Sequence, residues 1–198
     1  MSLAILKALI NDVIANKLYV QSFFSTSNTF RIVDLGCSLG PNTFVAMQNV
    51  IEAVEHKYQS KGLESKIPEF QVFFNDHVTN DFNTLFTTLP LEKQYFVAGV
   101  PGSFHGRLFP EASLYVVHSS YALHWPSKVP TEVLNKDSPA WNKGKIFYTS
   151  GSDEVANAFA AQFAEDMENF LNVRAREIMA RRMIILIVPS IANGIRRS

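Results

Sequence analysis

The stretch that decides the fold is FRIVDLGCSLGPN, residues 30–42. Its first six residues are mostly apolar, which is typical of a short strand buried in a sheet. Gly36 ends this strand, and Gly40-Pro41 begins a helix. Apolar side chains recur along that helix at helical spacing, at Phe44, Met47, Ile51 and Val54. The segment therefore predicts a strand, a glycine turn and a helix, the order found in parallel α/β sheets.

Further apolar segments alternate with helical patterns along the rest of the chain. Four are predicted as strands: residues 70–74, 95–100, 114–118 and 183–188. Three further segments are predicted as helices, of which the short one covers residues 81–88. The N-terminal helix has apolar residues on one face, at Leu6, Leu9, Ile10, Val13 and Ile14. The long helix near the end of the chain also has an apolar face, formed by Val155, Phe159, Phe163, Met167, Phe170 and Leu171. We expect an α/β fold with a mostly parallel sheet flanked by helices, which binds ligands beyond the carboxyl ends of its strands.

Composition narrows the class of protein. The 198 residues are 47% hydrophobic, which excludes a disordered chain and suits a single domain. Eighteen basic and eighteen acidic side chains give no net charge, so we expect no nucleic-acid partner. The single cysteine excludes an internal disulfide. The N-terminal segment has neither a cleavage site nor the apolar run of about 18 residues that a membrane span needs, so we expect a cytoplasmic protein with no membrane partner.

The glycine turn after the first strand has two interpretations. A dinucleotide fingerprint requires G-x-G-x-x-G, whereas residues 36–40 supply only G-x-x-x-G. The carboxylate of Asp34 would also repel a pyrophosphate, so a cationic or zwitterionic ligand suits the turn better. The alternative is a plain tight turn in which Asp34 caps the following helix.

The ends of the other strands carry further candidate ligand groups. Asp76 ends the second strand, where α/β nucleotide binders place an acid on the ribose hydroxyls, although an ordinary strand-end cap is the alternative. Phe104, in the loop 102–110, either stacks on a planar ring or anchors a surface loop. Tyr121, His124 and Trp125 fall within one turn after the fourth strand, so their polar tips suit a substrate oxygen or carboxylate, with simple packing as the alternative.

Five motifs together carry a resemblance to a known family. They are DLGCSLGPNT (34–43), FFND (73–76), GSFHGRLFP (102–110), SSYALHW (119–125) and SPAWNKG (138–144). In order and spacing they resemble the SABATH family of plant S-adenosylmethionine-dependent methyltransferases, which implies a Rossmann-like class I methyltransferase fold. The resemblance implies cofactor contacts at Asp34, Cys37, Asn42, Asp76, His77, Ser103 and Phe104, acceptor contacts at Tyr121, His124 and Trp125, and a first magnesium ligand at Asn142. At His77 family members often carry Leu, so only a backbone contact would be kept there.

The resemblance also implies a reaction. The chain is expected to transfer a methyl group from S-adenosylmethionine to the carboxylate of a small plant metabolite, with ring-nitrogen methylation left open. A carboxylate is ionised near neutral pH and needs no general base, so no catalytic side chain is expected beyond those that align the substrates. Two alternatives stay open, a truncated cofactor-binding paralogue without activity and a nicotinamide-dependent reductase.

Family members carry a segment before the first helix and continue well past the fifth strand. We therefore expect residues 1–198 to form a partial S-adenosylmethionine-binding domain, truncated at both ends, in which residues 126–151 form a lid or the start of the substrate cap. Family members often form dimers, so a homodimer is a further expectation.

Overall fold

A five-stranded parallel sheet lies at the centre of the computed structural model, which describes residues 3–20, 28–146, 148 and 151–189. The strands are β1 (Thr29–Leu35), β2 (Glu69–Asp76), β3 (Phe96–Pro101), β4 (Leu114–Ser120) and β5 (Ile178–Ile187). Their order across the sheet is β3-β2-β1-β4-β5, and every pairing is parallel. The predicted parallel sheet flanked by helices is therefore confirmed.

Helices cover both faces of the sheet. They are α1 (Leu3–Lys17), α2 (Pro41–Gln59), α3 (Phe82–Thr87), α4 (Thr131–Leu134) and α5 (Asp153–Glu177). The alternation of side chains along β1 divides the core between the two faces. Phe30 and Ile32 pack with α1, α2 and α3, whereas Val33 and Leu35 pack with α5. In the described residues, no helix is long enough and apolar enough to cross a lipid bilayer.

The fifth strand begins earlier than the sequence predicts. It starts at Ile178, directly after α5, instead of at residue 183. Arg181 and Arg182 interrupt the apolar pattern there, which hid the strand. The pairing with β4 accommodates them through a register shift between Leu114 and Val116, and Arg181 has a φ of 61°.

Two predicted helix faces need correction. On α1, Ile10 and Ile14 are buried as expected, but Leu9 and Val13 are exposed, Leu9 by 52%. On α5, Phe163 is 40% exposed and Leu171 is also exposed. The face of α5 that is buried carries Val155, Gln162, Asp166, Phe170, Arg174 and Glu177. Polar residues lie on this face because α5 packs against loops whose backbone groups need hydrogen-bond partners.

Residues 126–146 fold back against α5. Val133 and Ala140 form a small apolar cluster with Val155. Asp166 accepts hydrogen bonds from the backbone N–H and the hydroxyl of Ser127, at 2.8 and 2.6 Å. Residues 147, 149 and 150 lie outside the described part, and the role of 126–151 as a lid or cap stays a prediction.

The chain leaves β1 and β4 in opposite directions. From β1 it passes through α2 to β2 on one side, and from β4 it passes through α5 to β5 on the other side. Such a switch point opens a crevice at the carboxyl ends of the two strands, where ligands of open α/β sheets bind. The candidate site lies in this crevice.

Candidate functional site

Two adjoining cavities occupy the crevice. The first has a volume of about 530 Å³ and is lined by Asp34, Cys37, Asn42 and His118, among others. The second has a volume of about 690 Å³ and is lined by Asp76, His77, Ser103, Phe104 and Trp125, among others. Gly36, Ser38 and Tyr121 line both cavities. The two cavities therefore form one elongated site above the tips of β1, β2 and β4.

Gly36 allows the turn after β1 to approach the segment after β4. Its φ of 77° favours glycine, and a Cβ placed there would lie 2.3 Å from the Cβ of Ala122. The backbone N–H groups of Gly36 and Cys37 both donate to the carbonyl of Asn75, at 2.9 and 3.0 Å. The turn is thus fixed against β2 and leaves no room for a side chain at Gly36.

Asp34 is buried at the tip of β1 in a small polar network. One carboxylate oxygen accepts a hydrogen bond from the hydroxyl of Thr43 in α2, and the other lies 2.7 Å from Nδ1 of His118 in β4. The N-cap position of α2 is Gly40, which makes no side-chain hydrogen bond. The alternative in which Asp34 caps α2 is therefore wrong. Asp34 instead joins β1, β4 and α2 at the wall of the first cavity.

Asp76 joins the end of β2 to the glycine turn. Its two carboxylate oxygens accept hydrogen bonds from the backbone N–H groups of Ser38 and His77, each at 2.7 Å. Each oxygen keeps a second lone pair, so the carboxylate can still accept from a ligand hydroxyl. His77 is exposed, and its Nδ1 lies 3.0 Å from the hydroxyl of Thr79.

Cys37 forms an inert part of the wall of the first cavity. Burial raises the pKa of its thiol well above the usual range, and the nearby carboxylates of Asp34 and Asp76 raise it further. A thiol in this environment stays protonated at neutral pH and does not act as a nucleophile.

The loop 102–110, which carries Ser103 and Phe104, is held by two fully buried residues of α5. Arg174 donates to the carbonyls of Phe104 and Gly106, at 2.9 and 2.7 Å. One oxygen of Glu177 accepts from the N–H groups of Leu108 and Phe109, at 2.6 and 2.9 Å. We call these two residues the α5 clamp.

The two residues of the α5 clamp also face each other. The Nε of Arg174 lies 2.8 Å from the other carboxylate oxygen of Glu177, at an angle outside that of a hydrogen bond. Sequence analysis missed both residues. The signal that could have found them is their spacing after Phe170, which continues the buried face of α5 with two opposite charges.

The predicted acceptor residues do not all reach the site. Tyr121 lines both cavities and is 48% exposed, and Trp125 lines the second and is 64% exposed. His124 lines neither cavity and stacks obliquely on Trp125, with the ring centroids 5.5 Å apart.

Asn142, the predicted magnesium ligand, does not lie in a metal-binding environment. It lines neither cavity, and its side-chain amide donates to the carbonyl of Lys145 at 2.9 Å. Over residues 3–20, 28–146, 148 and 151–189, no three His, Cys, Asp or Glu side chains cluster closely enough to hold a metal ion. In that part of the chain, the donors around Asn142 therefore do not make up a magnesium site.

An elongated site at the switch point of a parallel sheet, with an acid at the tip of each of two adjacent strands, defines the class of α/β domains that bind nucleoside cofactors. Comparison with known proteins identifies the family. Residues 2–195 match the family described as SAM dependent carboxyl methyltransferase, and the chain belongs to that family. The resemblance to SABATH methyltransferases is thereby confirmed, and the reductase alternative finds no support.

Several curated plant proteins are similar to the chain. Loganic acid O-methyltransferase of Catharanthus roseus is 50% identical over 190 residues, which cover 95% of this chain and 50% of the relative. Farnesoic acid carboxyl-O-methyltransferase of Arabidopsis thaliana is 46% identical over 190 residues, 96% of this chain and 53% of the relative. Paraxanthine methyltransferase 2 of Arabidopsis thaliana is 45% identical over 175 residues, 87% and 49% of the two chains.

A solved structure confirms the predicted fold. The structure of loganic acid methyltransferase with SAH matches at a TM-score of 0.89 and 49% identity, over 96% of this chain and 53% of that chain. The chain spans about half the length of the relatives that it matches.

Proposed function

We propose that the chain binds S-adenosylmethionine along the two adjoining cavities and transfers its methyl group to the carboxylate of a small plant metabolite. The observation that carries the proposal is the distribution of the seven predicted cofactor residues. Asp34, Cys37 and Asn42 line the first cavity, and the other four line the second. A family of S-adenosylmethionine-dependent carboxyl methyltransferases supplies the reaction class.

The chemistry of the walls favours one orientation of the cofactor. In the second cavity, Asp76 suits the ribose hydroxyls, and the ring of Phe104 suits stacking on adenine. In the first cavity, the buried carboxylate of Asp34 suits the positively charged end of the molecule, which carries an ammonium group beside the sulfonium. We infer that adenosine lies in the second cavity and the amino-acid part in the first.

Methyl transfer then depends on alignment. When bound, the sulfonium would supply an activated methyl group to an acceptor oxygen, and the electron pair of the broken S–C bond would stay on sulfur as a neutral thioether. Tyr121 lies where the cavities meet, and the indole N–H of Trp125 can donate to an acceptor carboxylate. The alignment of two reactants supplies about 7–11 kcal/mol, which makes a general base unnecessary for an acceptor that is already ionised.

A second candidate is a chain that binds the cofactor without transferring the methyl group. The exposure of Tyr121 and Trp125 favours it, because the described residues leave the acceptor side of the site open to solvent. A cytoplasmic location, a homodimer and the lid or cap role of residues 126–151 stay predictions. The proposal includes no magnesium ion, because the described residues around Asn142 do not supply a set of metal ligands.

Calorimetric titration with S-adenosylhomocysteine tests the cofactor site. We expect Asp76→Ala to weaken binding of S-adenosylhomocysteine by about tenfold to a hundredfold, because hydrogen bonds from the ligand to a charged acceptor are lost. Asp137→Ala, which removes an exposed carboxylate outside both cavities, is the matched control. Thermal melting of both variants separates loss of binding from loss of fold. Failure of the unchanged chain to bind would overturn the proposal.

Transfer of labelled methyl groups to a panel of plant carboxylic acids separates the two candidates. Label in any acid supports the methyltransferase. Binding of the cofactor without transfer to any member of the panel supports the second candidate.

A further inference from the structure

His118 has a buried nitrogen without a partner. The residue lies in β4 between Asp34 of β1 and Ile185 of β5, and is only 1% exposed. Within the part of the chain that the structure describes, its Nε2 is buried and makes no hydrogen bond. His118 also lines the first cavity. A buried polar atom without a partner costs about 1–3 kcal/mol. Because His118 lines the first cavity, a ligand group bound there can supply that partner.

The surroundings of the imidazole determine what that ligand group must be. The carboxylate of Asp34, 2.7 Å away, can only accept, so Nδ1 carries the hydrogen of this contact. In the neutral ring Nε2 then holds a lone pair and acts as an acceptor. Thr43 occupies the other oxygen of Asp34, which fixes the carboxylate and therefore the tautomer of the ring. The partner that fits this neutral tautomer is therefore a hydrogen-bond donor bound in the first cavity.

We propose that Nε2 of His118 accepts a hydrogen bond from the ammonium group of S-adenosylmethionine, and that Asp34 acts by holding the imidazole in the required tautomer. This inference rests on the proposed function, which puts the amino-acid part of the cofactor in the first cavity. It assigns His118 as a cofactor-binding residue that the sequence motifs did not indicate. It also gives Asp34 a positioning role in addition to its charge.

Two variants separate the two ring nitrogens. His118→Asn keeps a side-chain N–H near the position of Nδ1, so Asp34 retains a donor while the acceptor at Nε2 is lost. His118→Phe removes both nitrogens and is expected to destabilise the fold as well, because it leaves Asp34 buried with one partner fewer. His56→Asn, on the exposed face of α2, is the matched control.

The test compares two ligands by calorimetry. One is S-adenosylhomocysteine, and the other is its analogue without the amino group. We expect His118→Asn to weaken binding of S-adenosylhomocysteine by about tenfold to a hundredfold and to change binding of the deaminated analogue less than twofold. Equal binding of S-adenosylhomocysteine by His118→Asn and the unchanged chain overturns the inference, and so does equal weakening for both ligands.

NMR spectroscopy of the unchanged chain tests the same inference without a variant. The ¹⁵N chemical shift of Nε2 of His118 should be that of a nitrogen without hydrogen in the free protein. It should change on addition of S-adenosylhomocysteine but not of the deaminated analogue. A shift that responds equally to both ligands, or to neither although both bind, overturns the inference and leaves the cofactor site standing. A chain that binds neither ligand overturns the proposed function itself, and this inference with it.

Discussion

Replacement of Glu177 by Gln should strongly destabilise the protein. Arg174 and Glu177 are both fully buried, and burial lowers the pKa of the Arg174 guanidinium while Glu177 raises it. The guanidinium stays charged in either case. Glu177→Gln keeps an oxygen for the N–H groups of the loop but removes the charge opposite Arg174. The cost of leaving one buried charge unpaired is about 3–5 kcal/mol.

This loss is large because domains are stable by only about 5–15 kcal/mol in total. Urea unfolding at constant pH measures it as a change in the free energy of unfolding. Glu168→Gln makes the same chemical change at an exposed position of α5 and should stay within about 0.5 kcal/mol of the unchanged chain.

The double variant Arg174→Met with Glu177→Gln tests whether the two charges act as a pair. Because no unpaired buried charge remains, the double variant should cost less than the sum of the single variants, by about 2 kcal/mol. A loss of less than about 1 kcal/mol in Glu177→Gln, or strict additivity in the double variant, would refute the pairing argument.

Three further predictions concern Gly36 in the glycine turn, the thiol of Cys37, and the contact of Asp166 in α5 with Ser127. Gly36→Ala should lower the free energy of unfolding in urea by about 2–4 kcal/mol, because Gly36 has a positive φ and an added Cβ would overlap Ala122. Gly40→Ala is the matched control: the space around Gly40 is open, so the loss should be less than about 1 kcal/mol. Cys37 should react with a disulfide reagent at pH 8 at least about a hundredfold more slowly than free cysteine, and a rate near that of free cysteine would contradict the raised pKa. Burial acts to raise the pKa of Asp166, but hydrogen bonds from Ser127 and Gln162 outweigh it and lower the pKa. The stability advantage of the unchanged chain over Asp166→Asn should therefore be present above about pH 4 and should decline as the pH falls below that value toward the lowered pKa. Free energies of unfolding from pH 7 to pH 3 measure this decline.

The sequence predicts the sheet because its strands are short apolar segments separated by clear turns. The segment around Asp34 illustrates this, since β1 extends over Thr29–Leu35 and the predicted inner face of α2 is buried. The motifs also predict which loops meet at the switch point. These features depend on residues close together in the chain, where periodicity and turn chemistry are informative.

The polar contacts that shape the site are not predictable in the same way. His118 lies within an apolar segment, and only the register of β1 against β4 brings it to Asp34, 84 residues away in the chain. The apolar pattern of α5 predicts only part of its buried face for a similar reason. Arg174 and Glu177 are buried by partners in a loop that precedes them by about 70 residues, so no local pattern shows what they contact.

Each cavity has its own buried polar network, and the two networks lie on opposite faces of the sheet. Asp34 and His118 hold the wall of the first cavity, and the α5 clamp holds the loop that forms part of the second. If the cofactor lies as proposed, damage to one network should weaken binding of one end of the molecule only. 5′-Methylthioadenosine, which lacks the amino-acid part, makes this measurable. Glu177→Gln, studied under conditions where it is folded, should weaken binding of this compound, whereas His118→Asn should leave it unchanged. If both variants weaken binding of this compound to the same extent, the two networks support one rigid site. The assignment of one end of the cofactor to each network would then be wrong.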